Sequence, residues 1–121
     1  MMTQHTTTFR RTVNQVIAAN SEYDDATDLD LGDAVHVERD GYEDLGIERI
    51  RENKISVMHT YKQRGDLMRN PEIVFNTSDD EWLPVEFRQD PIHHQHNDDG
   101  VDCGDFIRTW ARNLDNQGFT Q

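Results

Sequence analysis

The sequence predicts one α+β domain in which an antiparallel β-meander of three to five strands packs against N- and C-terminal helices in two layers. Three observations support this fold class. A length of 121 residues suits a single domain spanning residues 1–121. Apolar residues recur at helical spacing near both ends of the chain, and they alternate with polar residues between those ends. Helices lying on the apolar face of the sheet would bury both sets. Residues 1–7 and 91–102 are predicted to be flexible.

The first helix is predicted over residues 8–20, "TFRRTVNQVIAAN". Its apolar side chains recur at i, i+4, i+7 and i+8 and form one stripe along a helix: Phe9, Val13, Val16 and Ile17. Thr7 or Thr8 suits the cap at its start, and Asn20 suits its end. The acidic, turn-rich residues 21–33 that follow are predicted to be a loop.

Alternating apolar residues predict the strands of the meander. The predicted strands lie at residues 35–37, 45–50, 54–61, 72–77 and 82–89. In the last of these, "WLPVEFRQ", the alternation places Leu83, Val85 and Phe87 on the core face, with Trp82, Glu86 and Arg88 on the other. Its proline cannot donate to a ladder, which favours an edge position.

A second helix is predicted near the C-terminus, after a long polar connection at residues 90–104. Its apolar residues fall on one helical face: Phe106, Ile107, Trp110, Ala111 and Leu114. Gly118 suits the left-handed position that ends many helices, and Phe119 is then expected to fold back on the last turn.

The charge of the chain is its most unusual bulk property. The net charge is −12, and 16 of the 24 acidic residues are Asp, whereas Lys54 and Lys62 are the only lysines. At 1 M salt the Debye length is about 3 Å, so dense surface carboxylates repel each other little. In dilute buffer the same charges destabilise the compact state. The composition therefore predicts a halophilic protein, with an ordinary acidic protein as the alternative.

Composition also argues against several classes of function. No basic patch is visible to contact phosphates, so direct nucleic-acid binding is not expected. No apolar run is long enough to cross a membrane, and the N-terminus lacks the apolar segment of a secretory leader. The single Cys103 excludes a disulfide within the chain and fits a reducing compartment. These features predict a cytoplasmic location.

Three segments carry a family resemblance: "ISVMHTYKQRGDLMRNPEIVF", "PVEFRQD" and "WARNLDNQGF". They resemble a family of small uncharacterised proteins, one of the domain-of-unknown-function families of bacteria, phages and haloarchaeal plasmids. The matching positions are His59, Tyr61, Gln63, Gly65, Asp66, Leu67, Met68, Pro71, Glu72, Phe75, Pro84, Phe87, Gln89, Asp90, Trp110 and Gly118. The resemblance spans roughly residues 45–119. It departs after "QD", where this chain has "PIHHQHNDDG". It implies no known reaction, only an association with mobile elements.

The strongest candidates for catalysis lie at predicted strand ends. His59 and Tyr61 alternate on one strand, Asp66 follows in the next turn, and Asp90 ends a strand expected to lie nearby. A histidine, a tyrosine and carboxylates that converge would suit general acid–base chemistry. The alternative, which the pattern favours, is a buried polar network that only satisfies hydrogen bonds.

Two apolar residues stand at the tip of the hairpin predicted at residues 54–77. Leu67 and Met68 either fold under the sheet and close the core, which is the favoured interpretation, or form an exposed anchor for a partner protein. In the second case Arg69, Trp82 and Arg88 are the expected further contact residues.

The stretch "HHQHNDD" contains three histidines that would suit a transition metal: His93, His94 and His96. No helical or strand spacing supports them, and the family pattern lacks them. A solvated loop without metal is therefore favoured, and no cofactor is expected.

These observations predict a non-enzymatic interaction or accessory protein, associated with a mobile element or virus, that binds another protein. One alternative is a hydrolase-like or metal-dependent enzyme that uses His59, Asp66 and Asp90. The other is an acidic inhibitor that mimics DNA towards a host nucleic-acid-binding protein. The sequence predicts no oligomeric state.

Overall fold

The computed structural model describes residues 6–79, 81–103 and 105–121. The α+β class and the two terminal helices are confirmed. The elements in chain order are α1 (Thr6–Asn20), a short 3-10 helix (Ala26–Asp28), β1 (Ala34–Val37), β2 (Asp44–Arg51), β3 (Lys54–Gln63), β4 (Asp66–Asn76), β5 (Leu83–Gln89), β6 (His93–His96) and α2 (Phe106–Asn116). Of residues 1–7, predicted to be flexible, residues 1–5 lie outside the described residues, and α1 includes the other two.

The sheet has six strands in the order β1-β2-β3-β4-β5-β6, and every neighbouring pair is antiparallel. The prediction of three to five strands was therefore too low. The additional strand is β6, whose residues pair with β5 from Gln89↔His93 to Glu86↔His96. Three of the four side chains of β6 are exposed, so its sequence lacks the alternation of apolar and polar residues that predicts a strand.

The core lies between one face of the sheet and the two helices. Phe9 of α1 contacts Phe75 of β4 and Trp110 of α2, with ring centroids 5.3 and 5.2 Å apart. All four residues predicted for the apolar stripe of α1 are fully buried. Phe119 is also fully buried, after Gly118 with a φ of 86°, as the sequence predicted. The helices therefore cover the apolar face of the meander by burying aromatic rings against it.

The predicted faces of β5 are wrong at its start. Trp82, expected on the face away from the core, is 5% exposed and packs on Phe75 with ring centroids 5.6 Å apart. Leu83, expected in the core, is 37% exposed. A bulge explains both errors, because the pairing shifts between Val74 and Phe75. One additional residue reverses the alternation, so Trp82 reaches the same face as Phe87 despite the odd spacing between them.

The favoured prediction, that the apolar residues of the hairpin tip close the core, is wrong for Leu67. Strands β3 and β4 continue past the core to the pair Gln63↔Asp66, where Arg64 and Gly65 both have positive φ. That is the geometry of a two-residue type I′ turn, which needs a residue such as glycine. Leu67 on this projection is 62% exposed, and Met68 is half-buried.

None of the helices that the structure describes combines the length and the apolar character needed to cross a bilayer.

Candidate functional site on the outer face of the sheet

A network of charged side chains covers the sheet face opposite the helices, which is called the outer face below. It follows from strand alternation: Ile73 and Phe87 are buried in the core, so the residues beside them, Glu72 and Arg88, project to the other side. The same rule places Ser56 there, between two core residues of β3. Strands β3 to β6 all contribute, so the network spans four neighbouring strands.

Glu72 is the centre of this network. The Ser56 hydroxyl donates to Glu72 Oε2 at 2.6 Å, and both residues are buried. The other carboxylate oxygen, Oε1, lies 3.4 Å from Arg69 Nη1 and 3.9 Å from Arg88 Nε. A carboxylate removed from water requires such partners, because unpaired burial of a charge is costly.

Glu86 extends the network towards the edge of the sheet. Its Oε2 lies 2.6 Å from His94 Nε2, on β6, and 3.3 Å from Arg88 Nη2. Burial raises the pKa of Glu86, but hydrogen bonds from His94 and Arg88 outweigh that effect and hold its pKa below the usual range. Glu86 is therefore ionised at neutral pH and accepts from both donors. Arg88 lies between Glu72 and Glu86 and pairs with both carboxylates, so it connects the centre of the network to its edge.

Asp90 fixes Arg69 at the end of β5. The backbone N–H of Arg69 donates to Asp90 Oδ2 at 3.0 Å, and Arg69 Nε lies 3.4 Å from the same oxygen. In return, the Asp90 backbone N–H donates to the Arg69 carbonyl at 2.8 Å. The backbone N–H of Arg69, more than any other group, lowers the pKa of Asp90. Arg69 is thus held through both its backbone and its guanidinium group.

The chemistry of this network is that of recognition more than of bond cleavage. Its carboxylates Glu72, Glu86 and Asp90 are each paired with arginine, so their oxygens are already engaged as acceptors. Both arginine side chains stay partly accessible, since those of Arg69 and Arg88 are 36% and 23% exposed, but Arg88 Nε is buried. The arrangement therefore orients two guanidinium groups among three carboxylates on the sheet.

The hairpin tip, defined as residues 60–70, adjoins the network through Arg69. It carries three basic side chains and one acidic one, in a chain whose net charge is −12. Lys62 and Arg64 are exposed, as is Leu67. A basic protrusion with an apolar side chain thus stands out from a strongly acidic protein.

The residues predicted for catalysis are not brought together. His59 lies on the helix side, with its ring centroid 5.6 Å from those of Trp110 and Phe119. Its Nδ1 lies 3.2 Å from the carbonyl of Glu43, which accepts the N–H, and burial lowers its pKa. A cavity of about 150 Å³ adjoins this ring.

The two carboxylates predicted for catalysis, Asp66 and Asp90, do not lie beside His59. Asp66 is exposed at the turn, opposite Gln63, and Asp90 belongs to the outer network. Tyr61, also predicted, is half-buried and pairs with Met68 across the hairpin. The structure therefore supplies no common space in which His59, Asp66 and Asp90 would act on one substrate.

The three histidines of β6 are also separated. The ring of His93 packs against Phe87 at 5.4 Å, on the core side of the strand. His94 pairs with Glu86 on the outer face, and His96 Nε2 lies 3.3 Å from Asp98 Oδ1. Alternation along the strand explains why His93 and His94 diverge, whereas His94 and His96 share a face but contact different carboxylates.

The outer network includes two residues that were not predicted as members of a site, Ser56 and Glu86, and the central position of Glu72 was not predicted either. The pattern that would have revealed Ser56 and Glu86 is present, because each is a polar residue flanked by apolar residues at i−1 and i+1. Their pairing through arginine depends on which strands are neighbours, so the sequence alone did not show it.

A larger cavity, of about 520 Å³, lies at the opposite end of β3 from the hairpin tip. Arg49 lines it, but its Nη2 donates to the carbonyl of Ala26 at 2.8 Å and its Nη1 donates to that of Glu52 at 2.6 Å. The guanidinium group thereby ties the 3-10 helix to the β2–β3 turn. The arginine of this cavity is therefore already committed to backbone contacts.

A family model described as "Domain of unknown function (DUF6908)" matches residues 11–120. Comparison with curated proteins gives no match, and comparison with solved structures gives none either.

Proposed function

Because the chain belongs to the domain-of-unknown-function family DUF6908, whose description names no activity, we propose a function from its own surface. The protein is a non-enzymatic interaction factor that binds an acidic partner protein through the hairpin tip and the adjoining outer face. The observation that carries the proposal is Leu67, which is 62% exposed beside Lys62 and Arg69 in a chain of net charge −12.

Charge complementarity favours an acidic partner at this position. The chain as a whole is acidic, whereas the hairpin tip carries three basic side chains and one acidic one, so the tip attracts an acidic protein. Such asymmetry orients two proteins during encounter and rejects other docking geometries. Leu67 then supplies the apolar contact, and arginine is among the residues enriched at the energetic centres of interfaces.

The outer network supports the proposal because it pre-positions the arginines. Asp90 holds the backbone N–H of Arg69, and Glu72 and Glu86 hold Arg88. Side chains that are already ordered lose less conformational entropy when they bind. The surface is therefore suited to a partner that presents carboxylates opposite Arg69 and Arg88.

The first test is capture of the partner with matched leucine variants. Leu67→Ser is expected to reduce recovery of the partner from a high-salt host lysate at least about tenfold, because loss of a central anchor weakens binding strongly. Leu31→Ser is the control, since Leu31 is 64% exposed in the loop that lines the 520 Å³ cavity. Quantitative mass spectrometry of the captured proteins measures the effect.

Equal recovery with the wild-type and Leu67→Ser proteins would contradict the proposed surface, as would a loss confined to Leu31→Ser. Circular dichroism of both variants checks that the fold is retained, which is expected because both side chains are exposed.

Salt adaptation is a second part of the proposal, together with the association with a mobile element or virus that the family resemblance implied. With a net charge of −12, the chain is expected to melt at a temperature on the order of 10 °C lower in dilute buffer than in several molar KCl. Thermal melts followed by circular dichroism at both salt concentrations measure the difference. The same melting temperature in both would reject the halophilic assignment.

The two other candidate functions receive less support. The enzyme alternative needs His59, Asp66 and Asp90 in one space, whereas Asp90 pairs with Arg69 and His59 with backbone carbonyls. The DNA-mimic alternative needs carboxylates in phosphate-like rows, and those of the outer network are each paired with arginine.

A further inference from the structure

We propose that His36, Glu38 and Asp44 form a binding site for a divalent transition-metal ion of the Zn²⁺ type. The site lies at the β1 edge of the sheet and is independent of the protein-binding surface proposed above. One ligand atom from each residue lies within 4.8 Å of the other two. Among the described ranges, 6–79, 81–103 and 105–121, this is the one His, Cys, Asp and Glu group that meets this criterion.

Strand alternation explains why the three side chains meet. Val35 and Val37 of β1 are buried, so His36 between them is exposed, and Glu38 projects to the same side. His36 pairs with Gly46 of β2. Because glycine has no side chain, the imidazole can extend across β2 to the diagonal neighbour, Asp44.

Two carboxylates face each other at this point. Glu38 follows the last pair of the β1–β2 ladder, Val37↔Leu45; continuing that register places it across from Asp44, and one of its carboxylate oxygens lies within 4.8 Å of one of Asp44. Like charges directly across a strand pair destabilise it. A cation between the two carboxylates removes this repulsion, and the imidazole supplies a third ligand.

The interatomic distances suit coordination. His36 Nε2 lies 3.3 Å from Asp44 Oδ2. Tetrahedral ligands about 2.0–2.2 Å from a zinc ion lie roughly 3.3–3.6 Å from each other. Glu38 is exposed, and its carboxylate, within 4.8 Å of the other two ligand atoms, can occupy a third vertex by a change of rotamer.

The donor set selects the class of metal. Imidazole with carboxylates suits zinc and its first-row neighbours, whereas Ca²⁺ and Mg²⁺ prefer oxygen ligands alone. The side chains of His36 and Asp44 are 58% and 41% exposed, so water reaches the site and completes the coordination.

A bound ion would close the loop between Glu38 and Asp44. That loop carries Arg39, whose Nε donates to the Gly118 carbonyl at 3.1 Å and whose Nη2 donates to Asn20 Oδ1 at 2.8 Å. Metal binding at the sheet edge is thereby connected to the contact between the loop and the ends of both helices. A ligand that binds only the folded chain raises its melting temperature.

Isothermal titration calorimetry of the full chain with ZnCl₂, in chelator-free KCl buffer, tests the site. One equivalent of zinc is expected to bind, and His36→Ala and Asp44→Asn are each expected to weaken binding at least tenfold. His96→Ala is the matched control, because His96 also lies 3.3 Å from a carboxylate, that of Asp98, but is outside the three-residue group. Its zinc affinity is expected to equal that of the wild type.

The proposal is overturned if no zinc binds, if His36→Ala binds as the wild type does, or if the loss occurs in His96→Ala instead. Glu38→Gln provides a second variant that removes only one charge, in case a change at His36 perturbs β1. Histidine ring resonances in an NMR titration give an independent result, since those of His36 are expected to shift and those of His96 to stay in place.

Discussion

Replacing Phe9 with alanine is expected to lower the free energy of unfolding by about 3–5 kcal/mol, because the change removes a large ring from the centre of the core. Phe9 is fully buried, and its ring lies against Phe75 of β4 and Trp110 of α2. Truncation loses the transfer free energy of the ring and leaves a cavity bounded by three different elements. Such a cavity collapses poorly, because α1, the sheet and α2 cannot all move towards it.

Urea unfolding followed by circular dichroism, in several molar KCl, measures this loss. Urea is uncharged, so the ionic strength stays constant through the titration. Leu31→Ala is the control, since Leu31 is 64% exposed and its truncation is expected to change stability by less than about 0.5 kcal/mol. A loss below about 1 kcal/mol for Phe9→Ala would contradict the position of this ring in the core.

Replacing Glu72 with alanine is expected to lower the free energy of unfolding by about 2–3 kcal/mol. The change leaves the buried Ser56 hydroxyl without its acceptor and removes a carboxylate shared by Arg69 and Arg88. Loss of one partner from a buried charged group costs more than the pair itself contributes. The value lies below that for a fully buried pair because both arginines are partly exposed and keep Asp90 and Glu86 as partners.

Glu72→Gln separates the two causes of that loss. Glutamine keeps an oxygen to accept from Ser56 but carries no charge, so we expect a loss about half that of Glu72→Ala. Glu52→Ala, at the exposed β2–β3 turn, is the control for removing an acidic side chain. If Glu72→Ala and Glu52→Ala have equal stability in urea unfolding, the network does not hold the outer face together.

The core and the candidate site were predictable to different extents. The apolar stripe of α1, the apolar face of α2 and the core face of β3 follow from spacing within one segment, and the structure buries most of the residues that form them, with Phe106, His59 and Tyr61 half-buried. Arg69, Arg88, Asp90 and His94 were singled out from the sequence, but their joining through Glu72 and Glu86 was not. That joining depends on the pairing of four strands, which no single segment specifies.

The bulge in β5 is a second feature that depends on strand pairing and could not be predicted from one segment of the sequence. Strict alternation placed Trp82 outside, whereas one extra residue opposite Phe75 brings it into the core. A bulge is decided by how two strands fit together and by the burial that the fit achieves. Leu67 is a comparable case, because its exposure follows from how far β3 and β4 extend beyond the helices.

The sequence by itself determined the α+β class, the two terminal helices, most of the buried residues and the large negative charge, since each depends on composition or local periodicity. Tertiary structure alone decided the sixth strand, the phase of β5, the position of Leu67 in solvent and the meeting of His36, Glu38 and Asp44. The physical reason is that a strand gains its hydrogen bonds and burial only from its neighbours. Its register, its faces and the side chains it brings together are therefore properties of the assembled sheet.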